Sequence, residues 1–217
     1  GTPYDMKTIS SSGNTYQSLS GSGYGPQELT YNSSGTVLLW GPEIQYKAVK
    51  QYNLSTGWNA STINTTPAAT LDLTSGTSIG TVNSGTVSDD GKYIYAASGA
   101  NIYQWTLSTP FDLSTASYTH SQSGFESSSG SVKISPDGTQ LLQMKSTTIK
   151  SYTLSTPFNI QTASYDNKSC SIDHTLSTMI PEGFGWQACM HVVPVAGATK
   201  LTFMPYYGAI GLSVSFS

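Results

Sequence analysis

Apolar and polar residues alternate along much of the chain. Ile149-Lys-Ser-Tyr-Thr-Leu154 and Ile102-Tyr-Gln-Trp-Thr-Leu107 put a large side chain at almost every second position. A period of two belongs to strands, whose successive side chains leave on opposite faces. Val132-Lys-Ile-Ser135, Gln140-Leu-Leu-Gln-Met144 and Lys92-Tyr-Ile-Tyr-Ala96 read as further short strands. Between them stand Asp89-Asp90-Gly91 and Pro136-Asp137-Gly138, which are tight-turn sequences. No apolar stripe at helical spacing lasts three turns. The pattern predicts an all-β chain.

The pattern also repeats. Ser88 through Tyr118 lies on Ser135 through Tyr165 without a gap, with 14 identities in 31 positions. Both copies hold the run Thr-Leu-Ser-Thr-Pro-Phe, followed by Asp112-Leu113 or Asn159-Ile160. Degenerate copies begin at Asn53 and Thr2. Asp5, Asn59, Asp112 and Asn159 are then 54, 53 and 47 residues apart. Repeats of about 40–50 residues with four short strands are the mark of propeller blades. The expected fold is β-propeller-like, with about four blades of ~50 residues in a single domain over 1–217. The repeats fall at about 11–64, 65–117, 118–164, and 165–217 plus 1–10. The opening matches only the end of a repeat, so N- and C-terminal strands are expected to close the ring. The alternative is a boundary through a longer array. No Ser occurs from Thr178 to Leu212, and this divergent stretch is either a closing blade or an appended sandwich.

Composition narrows the function. Only 10% of residues are charged, the net charge is −3, and all nine basic residues are Lys. Nucleic-acid binding needs clustered cations to displace phosphate counterions, so no nucleic-acid partner is expected. No apolar run reaches the 18 or more residues that span a bilayer, so no membrane insertion is expected. Ser (35) and Thr (28) make a surface rich in hydroxyls.

The run Tyr-Thr-Leu-Ser-Thr-Pro-Phe-(Asp/Asn)-(Leu/Ile) resembles a repeat of structural and tail proteins of marine bacteriophages. Length, composition and the split opening are similar to the receptor-binding head of the vertex spike of membrane-containing marine phages, the corticovirus type. The likeness covers residues 1 to about 169. It implies a virion-surface, extracellular, non-enzymatic domain that binds a host cell-surface receptor, glycan or protein, beside other spike subunits. It also implies calcium as a structural ion. Rival readings are a structural spacer and a glycan-cleaving enzyme with carboxylates in the propeller channel.

Calcium takes six to eight oxygens. Candidate metal ligands are Asp89 and Asp90 in one turn, with Asp5 and Asp112 at equivalent repeat corners. The same residues also suit side-chain-to-backbone turns. Candidate ligand contacts are Trp40 and Trp186 beside glycines, and Tyr206-Tyr207 after Pro205. Trp58 aligns with Phe111 and Phe158 and reads as structural. His120, His174 and His191 form no triad pattern, and no Gly-x-Ser-x-Gly elbow occurs, so no catalytic residue is expected. Cys170 and Cys189 are 19 apart, and either a disulfide or two free thiols fits. Assembly in a reducing bacterial cytoplasm, as the phage resemblance implies, favours thiols.

Overall fold

A computed structural model describes residues 28–43, 46–127, 131–145 and 148–171, and the backbone of three later strands. The fold is all-β. The first sheet is an antiparallel meander of β1 (Leu29–Tyr31), β2 (Val37–Glu43), β3 (Ala48–Asn53) and β4 (Ala69–Asp72). The second holds β5 (Ser84–Val87), β6 (Tyr93–Ser98), β7 (Asn101–Leu107) and β8 (Ala116–Ser123). The third holds β9 (Ser131–Ile134), β10 (Gln140–Lys145), β11 (Thr148–Leu154) and β12 (Ala163–Ser171). A three-stranded sheet follows, of β13 (Cys189–Val195), β14 (Ala198–Met204) and β15 (Val214–Ser215).

The repeat sequence explains the repeat structure. In the tight turn before β10, Asp137 Oδ1 accepts from Ser135 Oγ at 2.6 Å and from the Thr139 N–H at 3.1 Å. Gly138 sits there at φ 70°, in the left-handed region that favours glycine. Between the third and fourth strand of each sheet the chain makes a corner. Asn59, Asp112 and Asn159 cap its 3-10 turn by accepting the N–H of Ser61, Ser114 and Gln161. A short polar side chain at that position satisfies a donor the turn would otherwise leave open. The aromatic residue before each cap, Trp58, Phe111 or Phe158, holds φ of 60–63°. Its ring lies on the turn glycine Gly35, Gly91 or Gly138 of its own sheet, where a Cβ would collide with it.

The corners of the second and third sheets also lock onto the preceding sheet. The Leu113 N–H donates to Gln51 Oε1 at 2.9 Å, and the Ile160 N–H donates to Gln104 Oε1 at 3.2 Å. Between the first two sheets Leu39 and Val49 pack with Val87, Ile94, Trp105 and Leu113. Between the second and third, Tyr95, Ala97 and Ile102 pack with Val132, Ile134, Tyr152 and Ile160. β6 therefore feeds both cores from alternate positions. That is why Ile94 to Ala97 is apolar throughout rather than alternating. Each large side chain so buried contributes about 1.5–3 kcal/mol.

Candidate functional site

The first strands of the sheets lie close together: β5 runs beside β9, and β13 also approaches β9. At this convergence stands Glu28, the residue before β1. Its Oε2 accepts the Val87 N–H at 3.0 Å, from the unpaired edge of β5. Its Oε1 accepts the Lys133 ammonium in a short contact from β9. One carboxylate thus joins three sheets through partners 59 and 105 residues away. The Lys133 side chain is 8% exposed and that of Glu28 is 18% exposed.

A charged pair here is not required by the fold. The turn glycines Gly35, Gly91 and Gly138 set the register between sheets. In that register Glu28 corresponds to Ser84 and Ser131, and Lys133 to Thr30 and Thr86. The other copies manage with hydroxyls. Desolvating two charges costs several kcal/mol per ion, and their attraction often only offsets it. An ion pair held at such a cost where the other copies carry hydroxyls makes this the candidate site. The surroundings are hydroxylic: Ser84, Thr86 and Ser131 are buried, and the Thr30 hydroxyl is buried without a hydrogen-bond partner.

Two further acid–base groups sit away from this point. At the end of β2, buried Glu43 accepts the Trp40 indole N–H at 2.8 Å, and Lys50 stands 3.1 Å from its Oε2. Before β9, Glu126 holds Lys150 in a short contact and Lys145 at 3.4 Å. The hydrogen bond from Lys150 keeps the Glu126 carboxyl below its ordinary range, and the same bond raises the Lys150 ammonium. The side chain of Gln143 clasps the Glu126 backbone, accepting its N–H and donating to its carbonyl, both at 2.9 Å. Lys50 and Lys150 occupy matching strand positions, and each lies over a tyrosine ring, Tyr46 at 5.0 Å and Tyr165 at 5.1 Å. The matching position in the second sheet is Tyr103, whose hydroxyl meets Ser78 Oγ at 3.3 Å. Both ion pairs are sheet features, repeated in kind.

The residues singled out from sequence are dispersed. Trp40 lies within β2 rather than in a loop, and its indole is committed to Glu43 and packed edge-on to Tyr52. Asp89 is exposed in its turn, and Asp90 Oδ1 accepts from Ser88 Oγ and the Lys92 N–H. Asp112 caps its corner. Asp5, Trp186, Tyr206 and Tyr207 lie outside the described residues, as do the side chains of Cys170 and Cys189. Among the described residues no group of three His, Cys, Asp or Glu could hold a metal ion. His120 is half-buried with an unpartnered Nε2, and burial pushes its imidazole pKa down. Sequence reasoning missed Glu28 and Lys133, because no local spacing connects them. Trp58, read as structural, packs its ring on Gly35 as Phe111 and Phe158 do on their glycines, and is 65% exposed.

A scan of family models finds no match, and neither does a search of curated proteins. Among solved structures the chain is similar to a protein assigned as a 6-phosphogluconolactonase from Bacteroides fragilis. The identity is 19%, the TM-score 0.44, and the match covers 67% of this chain and 39% of that one. It is similar too to the periplasmic gluconolactonase of Pseudomonas aeruginosa, at 17% identity and TM-score 0.45, over 69% of this chain and 40% of that one. The chain therefore spans about two fifths of the length of either. Both are named as lactonases, which are enzymes. The expectation of a non-enzymatic, host-receptor-binding spike head gives way to that finding. The geometry agrees for Trp40, which turns inward to Glu43 instead of presenting a contact.

Proposed function

We propose that this chain is a hydrolase of small polyhydroxylated esters or lactones, with Glu28 and Lys133 at its reacting centre. The observation that carries the reading is the part-buried carboxylate–ammonium pair at the convergence of three sheets. A glycosidase needs two carboxylates about 5–10 Å apart across the scissile bond. This cluster holds one carboxylate and one ammonium, which suits acyl transfer to water. Glu28 takes a proton from water as the water oxygen bonds to the acyl carbon. The Lys133 ammonium has donors beyond the one given to Glu28, and these stabilise the oxyanion that forms. Collapse breaks the acyl C–O bond, and the proton held by Glu28 passes to the leaving alkoxide. The Val87 N–H keeps the carboxylate aimed. The Thr30 hydroxyl, buried without a hydrogen-bond partner, suits a substrate that carries hydroxyls itself.

The proposed frame is a propeller-like ring of about four modules around this centre. The repeat register and the approach of β13 to β9 support it. Residues 1–10, expected to complete the last module, lie outside the described residues.

The test is titration at constant pH of acid released from gluconolactone and from simple aryl acetates. Wild type should exceed the buffer rate, and Glu28→Gln should fall about 10²–10⁴-fold with its near-UV circular dichroism retained. A wild-type rate equal to buffer on every ester and lactone would overturn the reading.

A further inference from the structure

Thr30 lies two residues beyond Glu28 on the first strand of the first sheet. The Glu28 carbonyl accepts the Gly41 N–H at 3.1 Å, so the ladder between β1 and β2 already runs through Glu28. Alternate residues of a strand share a face, which puts the Glu28 and Thr30 side chains on the same side. Leu39, directly opposite Thr30 in register, packs into the core between the first and second sheets. The shared face is therefore turned to the second sheet, from which the Val87 N–H reaches Glu28.

On that face the Thr30 hydroxyl makes no bond. The residue is half-buried, but its Oγ1 is shut off from solvent and meets no hydrogen-bond partner. At the two corresponding positions the polar group is engaged. Thr86 Oγ1 donates to the Val87 carbonyl at 3.4 Å, and the Lys133 ammonium is paired with Glu28. A buried hydroxyl without a partner carries a cost that a methyl group in its place does not. Valine has nearly the same shape as threonine and suits a strand as well. What the hydroxyl adds is one donor and an acceptor left for an incoming group.

Strand geometry says which part of a substrate meets it. Two residues of strand span about 6.5 Å. A six-membered lactone whose carbonyl is held by Glu28 and Lys133 covers that distance with the far side of its ring, not with the carbon next to the carbonyl. The hydroxyl that faces Thr30 is thus one borne opposite the carbonyl. A site that hydrogen-bonds a substrate hydroxyl rejects the analogue without it, because its own polar group then stays unpaired.

We propose that Thr30 is a specificity-determining residue, whose hydroxyl bonds a ring hydroxyl of the lactone on the side away from its carbonyl. This role rests on the hydrolase reading and narrows its substrate. The test compares kcat/KM on gluconolactone and on its 2-deoxy and 4-deoxy forms for wild type, Thr30→Val and Thr30→Ser. Wild type should lose about tenfold or more on the 4-deoxy form and little on the 2-deoxy form. Thr30→Val should lose as much on gluconolactone, yet handle the 4-deoxy form as wild type does. Thr30→Ser should retain most of the rate. A loss in Thr30→Val that is equal on all three lactones marks a structural role and overturns the proposal, as does no loss at all. If wild type turns over none of them, the hydrolase reading fails, and Thr30 is judged by calorimetry with gluconolactam, which keeps the ring hydroxyls and is not cleaved. Binding at least about tenfold weaker in Thr30→Val upholds its role. Equal binding, or none by wild type, overturns it.

Discussion

The side-chain oxygen of Gln51 accepts the backbone N–H of Leu113 at 2.9 Å, across the boundary between the first and second sheets. Gln104 and Ile160 repeat the bond across the next boundary. Sheet order is thus fixed by a specific bond as well as by apolar packing. At the matching position in the third sheet stands Ser151, which bonds Asp166 of its own sheet instead. Gln51→Ala or Gln104→Ala leaves a corner N–H without its partner. Each should cost about 1–3 kcal/mol, read as a lower thermal midpoint. Ser151→Ala should cost less, because no such cross-boundary bond is lost.

The turn glycines carry the corner aromatics. Gly138 holds φ 70°, and a Cβ there would run into the Phe158 ring. Gly138→Ala should therefore destabilise by about 1–3 kcal/mol or more, from strain and displaced packing together. Gly76→Ala shares the positive φ but meets nothing, so it should pay the backbone cost alone. Urea unfolding of both variants separates the two contributions.

Acid should act on the fold in two stages. Burial pushes His120 below its ordinary value, so the unfolded chain binds a proton more readily than the folded one. Its contribution is present above about pH 6.5 and is lost as pH falls toward the folded value. The Ser135 hydroxyl, followed by the Thr139 N–H, holds the Asp137 carboxyl below its usual range. That contribution is complete above about pH 4 and is lost as pH falls through the folded value. His120→Leu should flatten the stability curve below about pH 6.5. Asp137→Asn should be less stable than wild type at neutral pH, and the gap should close below about pH 4. Thermal midpoints across pH check both.

The sheets were legible where one stretch of chain determines them. The alternation in Ile149 to Leu154, the Pro136-Asp137-Gly138 turn and the Thr-Pro-Phe corner are local signals, and β9 to β12 follow them closely. Trp40 was misplaced because Gly41-Pro42 reads as a break, whereas β2 continues through it to Glu43. The candidate site was not legible at all. Glu28 finds Val87 and Lys133 only after three sheets converge, and no residue near it in sequence signals that meeting. Trp58 was legible as a corner residue because it aligns with Phe111 and Phe158, and its ring rests on Gly35 as theirs rest on Gly91 and Gly138.

The most direct test of the account is a kinetic cycle on Glu28 and Lys133. The value of kcat/KM for the best ester or lactone is compared among wild type, Glu28→Gln, Lys133→Met and the double variant. Groups acting as one unit are strongly non-additive. Each single change should lower kcat/KM by about 10²-fold or more, and the double variant should fall little further. Unchanged rates in both single variants, with folding intact, would contradict the assignment of this pair as the reacting centre.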